Sequence, residues 1–325
     1  MSSPDLSDAK ATPAAQERLL RERLQRSGYL ADADLATTVW LASALQRPLL
    51  LEGDAGVGKT ALATALAQSH GEHGAPLVRL QCFEGLDLAQ AAYEWNYGRQ
   101  LMAIRMSEAA PQTTGRVREA DVFSRDYLLE RPLLRAISQP GPCVLLIDEI
   151  DRADEAFEAF LLEVLAEYQI TVPEIGTIRA SHIPQVILTS NGTRELSDAL
   201  RRRCLYHYLD YPTLAREIAI VKAALPEADT RLVEDAVQFV QRLRREDLAK
   251  IPGIAETLDW VRALFHLRHS HLPEDMSAVL GTLGCLLKTR EDRFVMGHDR
   301  LRQLVEGRRS VGVAENANEQ AKVAA

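Results

Sequence analysis

Cysteine is scarce in this sequence and follows no pattern. Cys82, Cys143, Cys204 and Cys285 are scattered over 325 residues without a CxxC pair. That excludes a disulfide framework and a zinc ribbon and makes a reduced compartment, the cytoplasm, the expected location. Long apolar runs are also missing: none reaches the roughly 18 residues that a membrane-spanning helix needs. The N-terminal MSSPDLSDAKATPAAQER has no basic region followed by a hydrophobic one, so secretion is not expected. Basic residues are in deficit, with 38 Lys and Arg against 46 Asp and Glu and a formal net charge of -8. Nucleic acid is therefore not an expected partner. No internal repeat is evident, which removes solenoid architectures.

What is present is the composition of a globular chain, 46% hydrophobic and 26% charged, long enough to bury a sizeable core. PLLLEG, PLVRLQ, CVLLID and QVILTS read as short buried strands, and KTALATALAQ and EAFEAFLLEVLAEY as helices with apolar residues at three- and four-residue spacing. Strands alternating with helices predict an α/β layer with a mostly parallel sheet. Beyond Pro212 the signal is helical only, over about 213–224, 230–247, 254–271 and 274–288. The expected organisation is an N-terminal tail and helix (1–29), an α/β nucleotide-binding domain (30–211), a helical domain (212–305) and a C-terminal tail (306–325).

GDAGVGKT, from Gly53 through Asp54, Ala55, Gly56, Val57, Gly58 and Lys59 to Thr60, fits the full GxxxxGKT phosphate-loop pattern. It follows a predicted strand and opens a predicted helix, as the chemistry requires. Gly56 and Gly58 let the backbone curl so that N–H groups face phosphate oxygens, and the helix N-terminus adds positive potential. Lys59 then meets the β and γ phosphates of ATP, and Thr60 ligates Mg2+ through its hydroxyl.

VLLIDEID, Val144–Asp151, sets three acids behind four apolar residues. A buried carboxylate is unfavourable unless a cation or donors meet it. The phosphate loop supplies the reason: Asp148 belongs near the magnesium held by nucleotide and Thr60, and Glu149, one residue on, is placed to orient or deprotonate the attacking water. Asp151 reads as a cap for the helix starting near Asp154, or as a solvated loop acid. Asn191, after a fourth apolar strand, reads either as a turn former before Gly192 or as an amide that holds the water or senses the γ-phosphate. Arg201, Arg202 and Arg203 read in isolation as a basic helix end facing solvent.

Taken together, GDAGVGKT and VLLIDE resemble Walker A and Walker B of an AAA+ ATPase, and more narrowly of the MoxR family, over about residues 30–300. The resemblance implies a P-loop core with a helical lid, and a sheet in which the Asp148 strand does not directly neighbour the one before Gly53. It also implies Asn191 as sensor 1, and an arginine finger at Arg203 with Arg202 second, reaching the neighbour's γ-phosphate in a ring, expected to be a hexamer. A sensor 2 arginine is missing, since PGIAETLDWVRAL has Glu256 near that place and Arg262 about two turns later. GYLADADLATTVWLA, FSRDYLLERPLL, TVPEIGTIRA and LSDALRRRCLYHYLDYP resemble the CoxD-type branch. That branch implies a von Willebrand factor A-domain partner and, as client, a molybdenum-containing hydroxylase whose metal centre is assembled. The expected activity is an ATP-hydrolysing chaperone. The alternatives are a nucleotide-controlled interaction module or a general MoxR-type chaperone, and a small-molecule kinase leaves Asn191 and Arg203 unexplained.

Three further stretches have plainer readings. His266, His269 and His271 in HLRHSH do not share one helix face and predict no metal site. YEWNYGRQLMAIR is expected in a core or subunit contact, and ITVPEIGTIRA as a small hairpin or projecting loop.

Overall fold

The computed structural model describes residues 12–71, 73–109, 122–272 and 276–305. The predicted tails, up to residue 11 and from 306, lie outside the described residues. The described residues form two compact units: those up to Asp54 with Lys59–Leu209, and Ala55–Gly58 with those from Asp210 on.

The first unit is built on a five-stranded parallel sheet. Its strands are β1 (Leu49–Gly53), β2 (Leu77–Gln81), β5 (Val144–Asp148), β8 (Gln185–Ser190) and β9 (Leu205–Leu209), in the order β2-β5-β8-β1-β9. Position in that order explains the sequence of each strand. All five residues of β5, an inner strand covered on both faces, are buried, whereas the edge strand β2 alternates exposed and buried residues. β8 lies between β5 and β1, which is the separation the family resemblance implied.

Helices α1 (Pro13–Arg26), α2 (Ala33–Ala44), α3 (Lys59–Ser69), α4 (Leu88–Ala91), α5 (Tyr97–Ala109), α6 (Pro132–Ile137), α7 (Glu155–Glu167) and α8 (Asp198–Arg203) accompany the sheet. Their starts are chemically marked. Asp32 accepts from Leu35 N–H at 2.8 Å, and Asp154 from Phe157 N–H at 2.8 Å. Two small antiparallel pairs complete the unit. Strands β3 (Tyr93–Trp95) and β4 (Leu128–Glu130) form one, and β6 (Gln169–Val172) and β7 (Gly176–Arg179) form the hairpin within ITVPEIGTIRA. Of YEWNYGRQLMAIR, Trp95 is buried while Leu101, Met102 and Ile104 of α5 are exposed, so that face of the helix is not core.

The second unit is helical: α9 (Leu214–Ala224), α10 (Thr230–Leu243), α11 (Ile254–His266), α12 (Met276–Thr282), α13 (Arg290–Val295) and α14 (His298–Val305). Its core is centred on Phe239 and Trp260, whose rings lie 4.9 Å apart. A buried polar knot joins three helices. Glu217 of α9, fully buried, accepts from both terminal nitrogens of Arg244 at 2.6 Å, from Gln241 Nε2 at 2.6 Å and from Thr257 Oγ1 at 2.8 Å. Among the described residues no helix is long and apolar enough to cross a membrane.

Candidate functional site

The loop between β1 and α3 takes its form from its glycines. Gly53 has φ +155°, and a Cβ there would lie 2.3 Å from the Leu209 carbonyl oxygen on the neighbouring strand, so no larger residue fits. Gly56 and Gly58 take φ +79° and +103°, which turn the chain back towards the helix. Within the second unit, Ile254 N–H donates to the Gly56 carbonyl at 2.9 Å.

Lys59 opens α3 and is buried. Its Nζ donates to Gly53 O at 2.7 Å, Asp54 O at 2.8 Å and Asn191 Oδ1 at 2.8 Å, which uses all three ammonium protons. Burial holds its pKa below the ordinary lysine value. The acids Asp151, Asp54, Asp148 and Glu149 oppose that shift, in decreasing order.

Asp148 ends β5 with 3% exposure. Three donors meet its carboxylate. Thr60 Oγ1 lies 3.2 Å from Oδ1 and 3.4 Å from Oδ2, Thr189 Oγ1 donates to Oδ1 at 2.5 Å, and Arg79 Nη2 donates to Oδ2 at 2.5 Å. The cation beside this acid is thus Arg79, a residue the motif reading passed over. No local signal marked it, and strand register is what reveals it. Gln81 is in register with Asp148, and with a side-chain period of two Arg79 falls on the same sheet face.

Glu149 sits in the left-handed region at φ 56° and ψ 51°, a conformation that costs a non-glycine residue roughly 1–2 kcal/mol. Its N–H donates to Thr189 Oγ1 at 2.9 Å. Its Oε2 accepts from Gln81 Nε2 at 3.1 Å and pairs with Arg152 Nε at 2.9 Å. The Glu149 carboxylate is therefore held by two side chains of the same chain.

Asp151 corrects the sequence reading. It neither caps a helix, since Asp154 caps α7, nor faces solvent, since its exposure is 3%. Its Oδ2 accepts from Asn191 N–H at 3.2 Å, Thr193 N–H at 3.0 Å and Thr193 Oγ1 at 2.7 Å. Those partners are about forty residues away in sequence, so local spacing gave no sign of them.

The structure brings Gly53, Asp54, Lys59, Thr60, Asp148, Glu149 and Asn191 together in the first unit. The arginine cluster forms a separate group at the end of α8. Arg203 is exposed and its Nη1 donates to the Leu162 carbonyl; Arg47 binds the carbonyls of Arg202 and Arg203; and the Arg201 guanidinium lies 5.8 Å from the Tyr206 ring centre. Glu256 accepts from Gly253 N–H at 2.9 Å and so satisfies the N-cap donor at the start of α11, while Arg262 pairs with Asp259 at 3.3 Å. Glu256, where the family resemblance set an arginine, has a structural task. Among the described residues no group of three His, Cys, Asp or Glu side chains is placed to hold a metal. The thiol of Cys82 is pushed up to about 12 by burial and by the neighbouring Asp148, Asp151 and Glu149, which leaves it inert.

These residues fit a magnesium nucleotide. A hydroxyl and a carboxylate converge at 3.2 Å, a buried ammonium lies beside them, and a glycine loop precedes a helix N-terminus. Comparison with known proteins agrees with this donor set. Residues 49–209 match the family model described as ATPase family associated with various cellular activities (AAA). Gas vesicle ATPase GvpN of Haloferax mediterranei is 30% identical over 207 residues, which are 61% of this chain and 56% of that protein. Gas vesicle ATPase GvpN1 of Halobacterium salinarum is also 30% identical, with the same coverage. The chain thus spans just over half the length of these curated relatives. Two RuvB variants of Thermotoga maritima align at 19% and 17% identity with TM-scores of 0.43 and 0.44, covering 81% and 84% of this chain and 69% and 72% of theirs.

Proposed function

We propose that the protein, whose residues 49–209 match the AAA family model, hydrolyses Mg-ATP and uses the cycle to remodel a protein client. The observation that carries this reading is the convergence of Lys59, Thr60, Asp148 and Asn191 behind the glycine loop. Lys59 exchanges the Gly53 and Asp54 carbonyls for phosphate oxygens, and the N–H groups from Asp54 to Thr60 cradle the phosphates. Thr60 and Asp148 would hold the magnesium, which would supply Lewis-acid neutralisation of phosphate charge. Glu149 takes the proton of the attacking water, and Asn191 orients that water. Arg203, with Arg202 second, serves the γ-phosphate of a neighbouring subunit in a ring, proposed as a hexamer.

The client is a proposal of a coarser kind. The CoxD-type likeness pointed to metal-centre assembly in a molybdenum hydroxylase, but the relatives found carry gas-vesicle names and give that role no support. Both names share an ATPase, and an ATPase that remodels a protein client is the reading we adopt. A von Willebrand factor A-domain partner belongs to it by the MoxR likeness alone. A nucleotide-controlled interaction module is favoured by one observation, the hold of Gln81 and Arg152 on Glu149. Phosphate release without any partner separates the two: steady multiple turnover supports the remodelling ATPase, and a single burst supports the module.

The site itself is tested by calorimetry and phosphate release. Lys59→Ala is expected to abolish tight Mg-ATP binding, whereas Glu149→Gln keeps binding and loses turnover by about a hundredfold or more. Unchanged binding in the first variant, or full turnover in the second, refutes the assignment.

A further inference from the structure

We infer that Asp151 is a positioning residue for hydrolysis: by anchoring the loop after β8 it sets where the Asn191 side chain meets Lys59. The inference rests on the reading of Asn191 given above and assigns that residue's geometry to a second side chain.

All of the hydrogen bonds that Asp151 makes go to one place. Its Oδ2 gathers three donors, two from Thr193 and one from Asn191, and Oδ1 has no partner within the protein. Between those residues Gly192, at φ +69°, donates its N–H to Ser190 Oγ at 3.0 Å, so the turn is tied at each of its residues. The backbone of residue 191 is thereby fixed, and its side chain reaches Lys59 Nζ at 2.8 Å.

A second tie runs in the opposite direction. Thr189, at the end of β8, donates to Asp148 and accepts from Glu149 N–H. The acid loop 148–151 and the loop 189–193 therefore hold one another through Thr189 and Asp151. Neither can shift without breaking charge-assisted bonds in a site with little solvent, where each is stronger than in water. The buried charge of Asp151 is unfavourable in isolation. It is offset by the three donors and by Lys59, on which Asp151 exerts the largest effect of the four nearby acids.

A double-mutant cycle on the full-length protein reads this directly. Asn191→Ala, Asp151→Ala and the double variant are compared for kcat, for nucleotide Kd by calorimetry and for thermal midpoint. Asp151→Ala should lower kcat about tenfold or more, as expected for loss of a charge-assisted anchor, with Kd changed less than about threefold. In the Asn191→Ala background the same substitution should have no further effect on kcat. Asp151→Asn, whose carbonyl oxygen accepts the same donors, should recover most of the rate. Thr193→Val, which removes one donor, should lose an intermediate amount. These last two variants decide the matter if Asp151→Ala does not fold. Additive losses in the cycle overturn the inference, as does an Asp151→Asn rate no better than that of Asp151→Ala. Wild-type turnover in Asn191→Ala overturns the Asn191 reading itself, and the anchor role falls with it; that single variant tells the two failures apart.

Discussion

Glu217→Ala should be the most damaging single substitution in the helical unit away from the phosphate loop. The carboxylate is fully buried and Arg244 is only 7% exposed, so removing the acid leaves a guanidinium charge in a dry interior. Four donor atoms from three residues converge on Glu217, and all three residues keep other partners. Gln241 still reaches Pro212 O at 3.0 Å, Thr257 reaches Gly253 O at 3.0 Å, and Arg244 retains Pro252 O at 2.7 Å and the Tyr211 ring at 4.8 Å. Counting four charge-assisted bonds separately therefore overestimates the loss. The better measure is the cost of breaking one buried ion pair, about 3–5 kcal/mol. For a unit of roughly a hundred residues that is a fall of about 12–20 °C in its thermal midpoint. Differential scanning calorimetry of the full chain reads it, with the Glu217→Met, Arg244→Leu double variant as control. Apolar groups of similar volume leave no buried charge, so the double variant should recover most of the midpoint. A fall of less than about 4 °C in Glu217→Ala, or a double variant worse than the single one, refutes the reasoning. The knot also holds Thr257 in the first turns of α11, so ATP binding should weaken in Glu217→Ala even below its melting temperature.

Two other outcomes are expected. Mixing Arg203→Ala subunits with Lys59→Ala subunits should restore part of the turnover that each lacks, since a shared interface then combines an intact lysine with an intact arginine; the trans guanidinium can be worth about a thousandfold in rate. No recovery on mixing, together with a fully active monomer at every concentration, refutes the ring. Acid stability should depend on Asp292: burial raises its pKa, but bonds from Thr289, Ala249 N–H at 2.7 Å and Lys250 N–H at 3.2 Å outweigh that and hold it below 3.8. A depressed carboxyl stabilises the fold above its unfolded pKa and loses that contribution as pH falls through the folded value. Thermal midpoints between about pH 6 and about pH 2 should therefore fall less steeply in Asp292→Asn than in the natural chain, and equal slopes refute the assignment.

Residues 53–60 and 148–149 were legible in the sequence because their chemistry is written locally. A phosphate loop needs its glycines, lysine and threonine within eight consecutive positions, and an inner strand announces its burial by an unbroken apolar run such as VLLI before the acid. The helical character beyond Pro212 was legible for the same reason, since a period near 3.6 is a property of neighbouring residues.

What only the tertiary structure decided was the company those residues keep. Arg79 and Gln81 look like the polar face of an edge strand until β2 is laid beside β5, which sets them against Asp148 and Glu149. Asp151 looks like a loop acid until β8 brings Asn191 and Thr193 to it. Glu217 looks like an ordinary helix-surface glutamate until α10 and α11 close over it with Arg244, Gln241 and Thr257. Glu256, at the place where the family resemblance set an arginine, turns out to be occupied by the cap of its own helix. In each case the partners are either distant in sequence or chosen by backbone N–H groups, which carry no side-chain signature. A one-dimensional pattern records which groups are available, and the packing of strand on strand and helix on helix determines which of them meet.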